Sequence, residues 1–243
     1  MGLWAFHTFV HETDVAALER AVQQVLALDQ YEPIVKPTPE ESLEHRTSRY
    51  GEQTSLREGF CGVLLISGTS DDQQWSYIQC APDSLFCERA RGTEHPRLAE
   101  LAKILQVDAF RLEVEDGDSA VLLECRGNGE FCVSGALTSM LEEAYGDYTG
   151  ETDEETEAPT LKYFEEEVQG DEPTFELLSE FKAFSPANFG YPEPAVYEIE
   201  AKFLGSLDGD LAWIHHENRL FNAEPINTTE NSTVRALYFR RRG

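Results

Sequence analysis

Two β-type runs joined by a tight-turn dipeptide constrain this chain more than any other stretch. Residues 109–126 read AFRLEVEDGDSAVLLECR, with Asp116-Gly117 between the runs. A type I′ hairpin turn needs positive φ at both central residues, which Asp-Gly tolerates and most pairs do not. On the first arm Phe110, Leu112 and Val114 alternate with polar neighbours, the period of a strand with one buried face. The second arm, 120–125, is apolar almost throughout, as a strand buried on both faces should be. The hairpin is expected in the middle of a sheet, with neighbouring segments packed around it.

The flanking sequence supplies the rest of a fold. Residues 3–10 (LWAFHTFV) read as an opening strand. Thr13 is the expected N-cap of a helix over 14–28, on which Val15, Leu18, Val22, Val25 and Leu26 share one face. The polar stretch 29–59 has Pro33, Pro37 and Pro39 close together and predicts a long connection with little regular structure. Its Arg46, Arg49 and Arg57 form a local basic grouping, which makes it a candidate contact surface. Residues 60–67 (FCGVLLIS) read as a buried strand and 74–80 as its return, with Trp75, Tyr77 and Gln79 on one face and Ser76, Ile78 and Cys80 on the other. Pro82 starts a helical turn through Phe86. Pro96 suits the first turn of a second helix, capped by His95 or Thr93. After the hairpin, Gly127-Asn-Gly129 turns the chain into a strand over 130–133, and Ser134 is the expected cap of a third helix through Tyr145.

Adjacent strands with interspersed helices imply an α+β fold. The expected form is a mainly antiparallel sheet with three to five helices packed on it, and a division into two lobes is left open by the 243-residue length. On composition the parts are a larger α+β domain over 1–146, an acidic linker over 147–172 and a small α+β lobe over 173–243. In the last part 195–204 (AVYEIEAKFL) reads as a strand, Asp208-Gly209 as the turn of a second hairpin, and 233–240 (TVRALYFR) as the closing strand.

Charge is the strongest compositional fact. The formal net charge is −27, which repels nucleic-acid backbones and anionic membranes and attracts basic partners. Salt adaptation would explain the scarcity of lysine, 5 against 14 Arg, but not the lopsided 33 Glu against 13 Asp. The charge is also uneven. Residues 142–172 contain 13 acidic side chains and one Lys, and GETDEETEAPT at their centre has almost no apolar content to offset the entropy of ordering. Just beyond, Leu161, Tyr163, Phe164 and Val168 sit inside acid, the pattern of a segment that docks on something. The candidate partner-binding residues are therefore Glu151, Asp153, Glu154, Glu155, Glu157, Phe164, Glu165, Glu166 and Glu167.

Familiar catalytic constellations fail on spacing. His11-Glu12 starts like a zinc-protease motif, but the position four beyond His11 is Val15. His7 and His11 lie four apart where a strand leaves for a helix. His215-His216-Glu217 is the better metal candidate, because adjacent strand residues point to opposite faces. Asp116-x-Asp118 and Asp208-x-Asp210 occupy turns, where Asp serves the backbone. Gly127-x-Gly129 lacks the third glycine of a dinucleotide site. The five cysteines (Cys61, Cys80, Cys87, Cys125, Cys132) include two C-x6-C pairs that match no zinc knuckle, so buried thiols are expected in place of disulfides or metal. Arg240-Arg241-Arg242 is a basic tip whose nearest expected partner is the acidic linker.

No cofactor, catalytic residue or metal ligand is assigned on these grounds. The absence of a basic leader makes the cytoplasm the simplest expected location. The functional expectation is an acidic cytoplasmic protein that binds and neutralises a basic protein partner. It would act as a toxin-neutralising immunity protein, or as an inhibitor of a nucleic-acid-handling protein, without touching nucleic acid or membrane itself. The alternatives are a metal-assisted hydrolase using His215 or His216, and a structural or assembly accessory protein.

Overall fold

Residues AFHTFV form strand β1 (Ala5–Val10), in which His7, Thr8, Phe9 and Val10 are all fully buried. The computed structural model describes residues 5–48, 51–68, 74–115, 119–137, 203, 220–221 and 232–242. Asp14, in place of the expected Thr13, caps the following helix. It has extended backbone, and its carboxylate accepts from the Ala16 amide at 2.9 Å. Helix α1 (Val15–Leu28) buries Leu18, Ala21, Val22, Val25 and Leu26, at the spacing of a single helical face.

The stretch 29–59 is more ordered than its composition implies. Strand β2 (Tyr31–Ile34) contains Pro33, which a sheet tolerates on an outer strand. Helix α2 (Pro39–Ser42) is one turn, with proline at its first position and Glu41 Oε2 accepting from the Thr38 amide at 2.9 Å. Strands β3 (Leu43–Ser48) and β4 (Gly51–Leu56) pair antiparallel as a separate two-stranded arm. Of the arm's described side chains only Leu43 is a buried hydrophobe, so there was no apolar alternation to read.

Strand β5 (Phe60–Ser67) is buried from Cys61 onward, and β6 (Ser76–Ala81) is buried throughout. A 3-10 turn, Asp83–Phe86, buries Leu85 and Phe86. Helix α3 (Arg97–Leu105) has Pro96 itself at the cap position, in place of Thr93 or His95. Strands β7 (Ala109–Glu115) and β8 (Ser119–Cys125) form the expected hairpin, in register from Ala109 opposite Cys125 to Glu115 opposite Ser119. Arg111, expected on the wet face of β7, is 1% exposed. Strand β9 (Phe131–Leu137) contains Ser134, so no helix starts there. Strand β10 (Thr233–Arg241) ends the chain as expected.

Eight of these strands make one sheet in the order β2-β10-β5-β6-β1-β7-β8-β9, and every neighbouring pair is antiparallel. The centre is β6 and β1, so the β7–β8 hairpin lies to one side of the middle. β10 is threaded between β2 and β5, which places the last strand of the predicted C-terminal lobe inside the main sheet. Among the described residues there are three α-helices, of which α2 is a single turn.

The two faces of the sheet differ. One packs Val10, Val63, Leu65, Ile78, Leu123 and Leu237 against the buried sides of α1 and α3. The other is aromatic. Phe203 lies over Phe9, Phe110 and Trp75, with ring centroids 4.9, 5.4 and 5.6 Å apart. Its backbone is helical, where a strand was expected. Further along this face Phe221 and Leu220 press on Gly62 so closely that an added Cβ would lie 3.1 Å from the Phe221 ring.

Candidate functional site

The nine candidate partner-binding residues, Glu151 to Glu167, lie outside the described residues. So do Asp116, Asp118, Asp208, Asp210, His215 and His216. The other histidines fall apart from one another. His7 is fully buried among aromatic rings, with centroids 6.2 Å from Phe9 and 5.9 Å from Tyr77. His11 stacks on Trp75 at 4.7 Å, and its Nε2 is 2.9 Å from Gln74 Oε1. His95 Nδ1 meets Glu100 Oε1 at 3.0 Å. Among the described residues no three His, Cys, Asp or Glu side chains gather as a metal site.

The basic tip is engaged by the sheet domain itself. The Arg240 guanidinium lies 5.3 Å from the centre of the Phe60 ring, and that of Arg241 lies 5.1 Å from the centre of Tyr31. Arg241 Nε also donates to the Asp29 carbonyl at 3.2 Å. Arg242 pairs with Glu32. The reason is topological: β10 pairs with β2, which brings residues 31 and 32 opposite 241 and 240.

Other cations of the domain are also paired within it. Arg97, 3% exposed, sends Nε to Asp29 Oδ2 at 2.7 Å and Nη1 to the Leu85 carbonyl at 2.7 Å and Glu88 Oε2 at 2.8 Å. This ties the C-terminal end of α1 to the 3-10 turn and the start of α3. Arg111 donates from Nε to Glu113 Oε1 at 2.6 Å and from Nη1 to Thr8 Oγ1 at 2.9 Å. The Cys87 thiol donates to the same Glu113 oxygen at 2.9 Å. Arg235 reaches Glu19 at 3.1 Å. Burial is what pushes up the thiols: that of Cys80 to about 11 and that of Cys87 to about 12. They and Cys61 and Cys125 are reduced, and a thiol held in its neutral form is a poor nucleophile.

Local pairing leaves a marked contrast in charge along the chain. Residues 142–231 carry 23 acidic and four basic side chains, a net of −19 in 90 positions. The remaining 153 residues, which include nearly all of the described sheet domain, carry a net of −8. The acid is therefore concentrated beyond β9, while Arg97, Arg111, Arg235, Arg240, Arg241 and Arg242 are held by carboxylates and aromatic rings of the domain itself.

One feature of the domain surface escaped the sequence reading in form, though not in place. The β3–β4 arm and α2 border an open cleft of about 630 Å³ lined by Pro39, Glu40, Leu43, Glu44, His45, Thr54 and Arg57. His45 and Thr54 are a cross-strand pair, with Nδ1 3.0 Å from Oγ1. Arg57 Nε is fixed by the Leu43 carbonyl at 2.8 Å. The lining offers both signs of charge and suits a polar contact better than burial of an apolar ligand.

No known protein family, curated protein or solved structure matches the chain. Among the described residues no helix is long and apolar enough to cross a membrane.

Proposed function

We propose that this chain is an acidic binding protein that neutralises a basic protein partner. In this reading the antiparallel sheet domain is a rigid scaffold. The carboxylates of 142–172, with Phe164 among them, provide the contact. The observation that carries the reading is the segregation of charge: 12 of the 27 net negative charges lie in 31 residues, and the basic tip, Arg240 to Arg242, is held by Phe60, Tyr31 and Glu32. A run of 13 acidic residues with one Lys among them favours a cationic surface, and such attraction speeds encounter more than it deepens affinity. An immunity-type or inhibitor-type role, including against a nucleic-acid-handling protein, is the finer form of the same proposal.

The test is capture from the native host's extract on the immobilised full chain, eluted with a salt gradient. A parallel column carries a variant with the eight acidic candidates, Glu151, Asp153, Glu154, Glu155, Glu157, Glu165, Glu166 and Glu167, changed to Gln or Asn. The proposal expects one specific basic protein, retained by the parent chain and released at lower salt from the variant. Retention of the same protein at equal salt by both columns would refute it.

A further inference from the structure

We infer that Cys87, Glu113 and Arg111 form a thiol site that reacts with hydroperoxides, with Cys87 as nucleophile, Glu113 as its base and Arg111 as the donor that orients the transferred oxygen. The inference is independent of the acidic run and of the basic partner.

The three side chains meet where the turn after β6 lies against β7. The Cys87 amide donates to the Ser84 carbonyl at 2.9 Å, which closes the 3-10 turn. The Cys87 thiol donates to Glu113 Oε1 at 2.9 Å, and Arg111 Nε donates to the same oxygen at 2.6 Å. Residues 111 and 113 are two apart on β7 and share a face. Thr8, opposite Arg111 across the β1–β7 ladder, accepts from Nη1 at 2.9 Å. A nucleophile within hydrogen-bond reach of a base, with the base held by a third group, is the arrangement that activates a weak nucleophile.

Arg111 supplies the observation that points to a ligand. Its side chain is 2% exposed, yet among the described residues its Nη2 has no hydrogen-bond partner. Buried donors are normally filled. The Nε–H and an Nη2–H leave a guanidinium side by side, as the prongs of a fork. With Nε on Glu113 Oε1, the unpartnered prong is directed to the same side, where the Cys87 sulfur sits on that oxygen. An oxygen bonded to the sulfur would accept from it. Cys87 is also set apart from Cys61, Cys80 and Cys125, which are buried while it is partly exposed.

Burial, with the Glu113 carboxylate adding to it, pushes the Cys87 thiol up to about 12. Thiolate is therefore scarce at neutral pH, and the proton has to leave during the attack. The groups facing the thiol are Arg111 and Glu113 of β7 and Cys80 of β6. As the sulfur attacks the terminal oxygen of the hydroperoxide, its proton passes to Glu113 and the O–O bond breaks. The leaving oxygen takes that proton and departs as water or an alcohol. Sulfur loses two electrons, the peroxide gains them, and Cys87 becomes a sulfenic acid whose oxygen accepts from Arg111 Nη2.

The experiment treats the full chain with hydrogen peroxide, traps sulfenic acid with a cyclic 1,3-diketone and follows the adduct on Cys87 by mass spectrometry. Carboxylates are ionised throughout about pH 6–8, so transfer to Glu113 predicts a rate nearly flat across that range. Reaction through free thiolate would instead rise about tenfold per pH unit. Glu113→Gln separates the two accounts by sign. Loss of the base should slow the adduct about tenfold, whereas loss of a carboxylate that raises the thiol would speed reaction through thiolate. Arg111→Lys keeps the cation and removes the fork. It should slow the peroxide reaction about tenfold more than alkylation by iodoacetamide, which transfers no oxygen. Unfolding midpoints identify any variant that fails to fold, and the pH profile of the parent chain decides without one. No adduct on Cys87, a tenfold rise per pH unit, or a faster reaction in folded Glu113→Gln overturns the inference, as does equal slowing of both reagents in folded Arg111→Lys.

Discussion

Replacing Arg97 by methionine tests the arrangement that holds the helical layer together. In the parent the guanidinium and the Asp29 carboxylate are both 4% exposed and 2.7 Å apart. Arg97→Met keeps most of the packing volume and removes the cation. It strands a buried carboxylate and also deprives the Leu85 carbonyl of its 2.7 Å donor. Breaking one side of a buried ion pair costs about 3–5 kcal/mol, against a total stability of about 5–15 kcal/mol for a typical domain. With a urea m-value of about 2 kcal/mol/M, the midpoint should fall by roughly 1.5–2.5 M. The decisive arm is the double variant with Asp29→Asn. The introduced carboxamide can still accept from the Arg91 amide, as Asp29 Oδ1 does at 3.1 Å, but leaves no charge behind. The double variant should recover at least half of the lost midpoint. A shift under about 0.5 M for Arg97→Met, or a double variant as unstable as the sum of its single changes, would refute the claim that this pair is desolvated and coupled.

Three further outcomes follow from particular contacts. At Gly127 an added Cβ would lie 2.6 Å from the Gln106 carbonyl carbon, so Gly127→Ala should cost about 1–3 kcal/mol by overpacking, read as a lower thermal midpoint. Truncating Phe203, 1% exposed between Phe9, Trp75 and Phe110, should cost about 3–5 kcal/mol; a loss under about 1 kcal/mol in chemical unfolding would mean that the aromatic face is covered without it. Burial holds the Cys80 thiol at about 11 when folded, above its unfolded value of about 8.5. Its contribution is therefore complete below the unfolded value and lost as pH rises through the folded one. Urea midpoints should fall between about pH 8.5 and 11, and less steeply in Cys80→Ala.

How much of this was legible in the chain depends on whether a segment had one buried face. The hairpin of β7 and β8, helix α1 and strands β5 and β10 were readable because apolar side chains repeat at strand or helix period. β3 and β4 were not, since an arm in which Leu43 is the one buried hydrophobe among the described side chains leaves no periodic trace. Arg111 misled for a different reason: a charged residue between Phe110 and Leu112 reads as wet, yet Glu113 and Thr8 hold its Nε and Nη1 inside the sheet. The place of β1 at the sheet centre was obscured in the same way by buried His7 and Thr8. Pairing between β2 and β10 joins segments at opposite ends of the sequence, and no local pattern encodes it. The destination of the basic tip followed from that pairing and was equally hidden. For the candidate contact residues the sequence remains the whole basis, because charge density is a property of composition and needs no fold to be read.

The central claim, that segregated acid serves to meet a basic protein, is tested most directly by association kinetics. The measurement is the association rate constant of the captured partner with the parent chain and with the eight-fold neutralised variant, across ionic strengths from about 0.02 to 0.5 M. The account predicts a rate for the parent that falls at least tenfold over this range, as electrostatic steering is screened. The variant should start lower and show a much flatter dependence. Equal rates with equal salt dependence in the two proteins would contradict it.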